Sequence, residues 1–166
     1  MRTLLSLFSA LLLLAASATA QTARVQIIHN APDPAVDIYV NGLKALDDFA
    51  FRSATPFLDL PAGIGLTVAV APASSTSVMD AIATFPVTFE TGKTYAITAS
   101  GIVGNMATPF TLIADADARE TAANPAKVDL NVFHGSPDAP AVDVVVRTGG
   151  KIVSNAAYGD FTPYLS

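Results

Sequence analysis

Two stretches of the 166-residue chain carry side chains that could do chemistry together, and the two are nearly alike. Residues 29–40 read HNAPDPAVDIYV, and residues 134–146 read HGSPDAPAVDVVV. The first offers His29, Pro32, Asp33 and Asp37; the second offers His134, Pro137, Asp138 and Asp143. A neutral imidazole beside carboxylates suits a divalent metal. The same residues also have a structural use. Pro32-Asp33-Pro34 makes a turn whose Asp side chain accepts backbone N–H bonds, and turn chemistry alone accounts for the Pro and Asp positions. His29 shares strand parity with Val25 and Ile27, which aims it at the core end and at a backbone hydrogen bond. The structural use is the preferred reading, and no metal or other cofactor is expected.

Other chemistry is less well supplied. A serine hydrolase needs a serine, a base and an orienting acid in contact. The two histidines occupy equivalent places in the two stretches, and no Gly-x-Ser-x-Gly elbow is present. Ser74, Ser75 and Ser77 read as a polar surface connection. Asp47, Asp48 and Asp59 read as solvated carboxylates. Asp115 to Glu120 resembles a calcium loop but lacks its third ligand and its glycine. Tyr39 is placed on the outward face beside Asp37, where stacking could hold a sugar; Val145 at the matching place favours packing instead.

The elements that position these residues are strands. Aligned with one inserted residue, Ala139, the two stretches agree at eight of twelve positions. Val25 and Ile27 before the first match Leu130 and Val132 before the second, and AFRSATPFL at 50–58 matches AYGDFTPYL at 157–165. Period-two alternation marks strands around 25–29, 36–40, 57–60, 66–70, 87–89, 95–99 and 110–114. Asn41-Gly42 supplies the two positive-φ positions of a tight hairpin turn. A short helical piece is expected around 77–84. Seven to eight short strands joined by Gly, Pro and Asn turns predict an all-β fold, an immunoglobulin-like β-sandwich followed by an incomplete second copy. The expected boundaries are a first domain at 21–114, a linker at 115–127 and the truncated copy at 128–166. Strands of half a sandwich cannot cover their own apolar face, so they either pair with a remainder of the second domain or dock on the first.

Residues 1–20 have the parts of an export signal: Arg2, an apolar run from Leu4 to Ala16, and Ala18-Thr19-Ala20 before Gln21. The run is too short to span a bilayer as a helix, so cleavage after Ala20 and a secreted or periplasmic location are expected, with no transmembrane segment afterwards. The formal charge of −5 becomes −6 when Arg2 leaves, since eight basic side chains then face fourteen acidic ones. That balance argues against nucleic acid as a partner. The chain has no cysteine, so disulfides and thiolate chemistry are excluded and burial must hold the fold.

The segment ARVQIIHNAPDPAVDIYVNG at 23–42, with LPAG at 60–63 and TGKTYAI at 91–97, resembles the domain of unknown function 4397 family. The resemblance covers 23–114 and again 128–166. It implies a secreted or envelope-associated bacterial β-sandwich, often in tandem, with no catalytic residues to carry over. The first stretch departs from the pattern in having Asn30-Ala31 where the second has Gly135-Ser136. The expected function is therefore an exported, non-catalytic module with a binding, adhesion or scaffold role, its partner a protein or glycan of the cell envelope. A carbohydrate-binding module is the alternative, followed by a metal-dependent hydrolase using the His-x-x-Pro-Asp motif.

Overall fold

The computed structural model describes residues 21–32 and 34–166; the leader at 1–20 and Asp33 lie outside the described residues. Ten strands follow one another, and the first eight form two four-stranded sheets. These eight are β1 (Thr22–His29), β2 (Val36–Val40), β3 (Leu43–Phe49), β4 (Leu58–Pro61), β5 (Gly65–Pro72), β6 (Ala83–Thr88), β7 (Thr94–Ser100) and β8 (Thr111–Asp115). One sheet has the order β4-β1-β7-β8 and the other β3-β2-β5-β6. All pairings are antiparallel except β1 with β7, which run parallel from Arg24↔Thr94 to His29↔Ala99. The chain is all-β and sandwich-like.

Alternation builds the core. Val25 and Ile97 from one sheet face Ile38 and Val70 from the other, and Ile27 packs against the buried clusters of both. Val25 is almost fully buried, which contributes roughly 1.5–3 kcal/mol. Asn41 (φ 49) and Gly42 (φ 84) make the β2–β3 turn in the left-handed geometry that a two-residue hairpin requires. The helical expectation at 77–84 shrinks to one 3₁₀ turn, Val78–Asp80, capped by Ser77 and Asp80. Residues 83 and 84 already belong to β6, because Thr84 is drawn into register opposite Ala69.

The later part of the chain supplies β9 (Val142–Val146) and β10 (Gly150–Ala156), a separate antiparallel hairpin. Residues 128–135 and 157–165 run beside each other, joined by Leu130↔Leu165 and Phe133↔Phe161 bridges. They lie against the outer face of the β4-β1-β7-β8 sheet. There Asn30 Nδ2 donates to the Gly135 carbonyl at 2.8 Å, and the Ser100 and Tyr158 hydroxyls meet at 3.2 Å. Gly135 is packed so closely on the Asn30 amide and the Phe133 ring that a Cβ would collide with both. The segment between is also tied down: Glu120 accepts two hydrogen bonds from Arg24, each of 2.7 Å.

Candidate functional site

β1 ends in His29, whose side chain turns into the space between the sheets and is 2 % exposed. Its Nε2–H donates to the Pro34 carbonyl at 3.2 Å, which closes the loop between β1 and β2. Phe49 and Phe51 flank the ring at 5.8 and 6.2 Å. Among the described residues Nδ1 is buried without a partner. Burial holds the imidazole below its ordinary pKa, against a smaller opposing effect of the Pro34 hydrogen bond. Pro32 lies in the loop that this bond closes.

Asp37 sits on the opposite face of β2, so His29 and Asp37 do not converge on one site. Parity places Asp37 and Tyr39 on the outer face of their sheet, as the sequence indicates, but that face is not open. Asp37 is fully buried and Tyr39 is 3 % exposed, because the connection from Ala73 to Ile82 folds over them. Ser75, expected in a surface loop, is buried there: its hydroxyl donates to Asp37 Oδ2 at 2.6 Å and lies 2.8 Å from the Tyr39 hydroxyl. Lys44 Nζ donates to the same Asp37 oxygen at 2.7 Å and to Asp47 at 2.8 Å. The Lys44 ammonium, then Ser75 and the Asp48 amide, pull the Asp37 carboxyl down to about 2, outweighing desolvation. Tyr39 is therefore unavailable as a sugar platform.

The third bond to Asp37 explains the Val-Asp end of the motif. The β2–β3 register slips between Val36 and Tyr39, and Asp48 takes the left-handed conformation at φ 51. Its amide, turned out of the ladder, donates to Asp37 Oδ1 at 3.0 Å. Asp37 thus pins a β-bulge.

The second stretch repeats most of these bonds, with the Ser136 amide also donating to His134 Nδ1 at 3.4 Å. His134 Nε2–H donates to the Pro140 carbonyl at 3.0 Å, and the inserted Ala139 is absorbed inside the loop that this bond closes. Tyr158 stands edge-on to His134 as Phe51 does to His29. Asn155, at φ 53, donates its amide to Asp143 Oδ1 at 2.8 Å, and Lys151 pairs with Asp143 as Lys44 does with Asp37. Lys151, then the Asn155 amide, hold the Asp143 carboxyl below its usual range. Thr55 and Thr162 likewise receive the Ile27 and Val132 amides at 3.0 and 2.9 Å. Pro137 and Asp138 lie in the His134 loop.

A family model for a domain of unknown function (DUF4397) matches residues 23–145. The chain belongs to this family. The match begins in β1 and runs through the first sandwich and segment 115–127 to the last residues of the second His-Pro-Asp-Val-Asp stretch. No curated protein and no solved structure matches the chain. In this DUF4397 chain an open cleft of about 680 Å³ lies where the late segment meets the first sandwich. Phe161 and Tyr164 line it on one side, with Lys93, Asp115, Arg119 and Asn131 around them. The Arg119 guanidinium stacks 4.4 Å from the Tyr164 ring and bonds to Asp129. Nothing in the sequence groups these residues, because the topology alone brings 93, 115–119, 131 and 161–164 together. Among the described residues no helix is long and apolar enough to cross a membrane.

Proposed function

We propose that this DUF4397 protein is an exported, non-catalytic module of the cell envelope with a binding, adhesion or scaffold role. In this reading the first sandwich is a complete unit and residues 128–166 are the opening strands of a second one. The observation that carries it is the use made of the motif. In both stretches the histidine closes a loop and the second aspartate pins a bulge, so the reactive groups are spent on structure. Thermal melts of the wild type with added zinc or calcium test this reading. An unchanged Tm supports it, whereas a metal-dependent rise lost in His29→Ala would favour the metal-dependent enzyme. Export is tested by sequencing the N-terminus of secreted protein, expected to begin at Gln21.

The carbohydrate-binding reading has one observation in its favour, moved from Tyr39 to the cleft of Phe161 and Tyr164. Aromatic faces beside amide, carboxylate and guanidinium groups suit a saccharide ring. A glycan array on the wild type and Tyr164→Ala tests it; binding lost in the variant would support it.

A further inference from the structure

β9 repeats β2 but lacks one of its neighbours. β2 pairs with β3 on one edge and with β5 on the other, whereas among the described residues β9 pairs with β10 alone. We propose that the free edge of β9 is an acceptor for one extended, uncharged strand with the chemistry of β5. This rests on reading residues 128–166 as a second unit. The occupant is a partner segment of alternating small and β-branched apolar residues, with a hydroxyl three residues past its end.

Backbone, side chains and charge each bear on the assignment. Asn41 donates its amide to the Thr67 carbonyl, so Tyr39 and Asp37, two and four residues back, also turn their amides toward β5. Their counterparts Val145 and Asp143 therefore point unpaired N–H groups away from β10. Val145 and Val146 are 62 and 39 % exposed, and β9 carries no Pro, Lys or Gly of the kind that protects an edge. Its one charge, Asp143, is cancelled within the hairpin by Lys151, and β5 itself bears none, so an uncharged strand meets a neutralised edge. The register follows from β2, where Pro72 lies opposite Val36 and Ser75 beyond it reaches Asp37. A strand on β9 would end opposite Val142 and bring its hydroxyl to Asp143.

Hydrogen exchange on the full chain, with the peptide GIGLTVAVAPASSTS (residues 63–77) as probe, tests this. Saturating peptide is expected to slow exchange at Asp143 and Val145 at least tenfold, and a scrambled peptide to do nothing. Val145→Pro removes a donor from the free edge only and is expected to abolish capture. Peptide carrying Ser75→Ala is expected to bind about tenfold more weakly. Unchanged exchange at Asp143 and Val145, with Val144 and Val146 protected by β10, overturns the acceptor edge while leaving the second-unit reading intact. Unprotected Val144 and Val146 would instead remove the hairpin and that reading with it. Protection at Asp143 and Val145 without peptide, rising with protein concentration, would make a second copy the occupant and overturn the assignment.

Discussion

The β2–β3 and β9–β10 hairpins make the same bonds in different surroundings. Each has an aspartate holding a left-handed bulge residue and a lysine holding the aspartate. Asp37 is sealed beneath Ser75 and Tyr39, whereas the Asp143 side chain is 42 % exposed, with Val145 where the tyrosine stands. The bonds are therefore local, encoded within some 20 residues, and they form without the cover. The cover, which needs β5 and the connection after it, is long-range. What the cover changes is the energetic weight of the same carboxylate, since a buried polar group left unpartnered costs far more than an exposed one.

The widest separation between the two hairpins is expected on deleting the aspartates. Asp37→Ala leaves the Asp48 amide and the Ser75 hydroxyl without their acceptor and the Lys44 ammonium without one of its two carboxylates. A loss of about 3 kcal/mol or more is expected in urea unfolding. Asp143→Ala should lose only a small fraction of that; equal losses would break the comparison. Next is His29→Ala, which empties space between Phe49 and Phe51 and opens the Pro34 loop, costing about 2–4 kcal/mol. Ser75→Ala removes one hydrogen bond to a buried charge and should cost about 1.5–3 kcal/mol in the same assay.

Acid should give the gentlest effect in two stages. His29 is held below its ordinary pKa by burial, so the unfolded chain takes up its proton first as pH falls past about 6.5. Stability present above that pH is lost below it, and His29→Gln should flatten this stage. Asp37, held at about 2, keeps its contribution above the ordinary carboxylate value and loses it as pH falls from there toward 2. Asp37→Asn should shrink this second stage in a Tm-against-pH profile, the remainder coming from other carboxylates held low, Asp143 among them.

Much of the fold is legible in the alternation of Val25, Ile27, Val36, Ile38, Val68 and Val70, and in the Asn41-Gly42 turn. Alternation says which face a side chain takes but not what will cover that face. Asp37 and Tyr39 are placed correctly on the outer face and still end up buried, because the cover comes from residues 73–82. The parallel β1–β7 pair is equally silent, since period two carries no strand direction. Of the candidate site, the core-facing His29 is readable from parity. The bulge is readable only with its geometry in hand: Asp48 and Asn155 belong to the residue types that tolerate φ > 0, eleven and twelve positions past their aspartates. The cleft at Phe161 and Tyr164 has no sequence signal, being assembled from four distant segments.

Native-state hydrogen exchange at the Asp48 and Asn155 amides tests most directly whether the motif serves structure. Both amides should be protected at neutral pH, Asp48 the more strongly, with protection lost at Asp48 in Asp37→Ala and at Asn155 in Asp143→Ala. Exchange at the solvent rate in the wild type, while neighbouring strand amides stay protected, would mean that the aspartates do not hold the bulges.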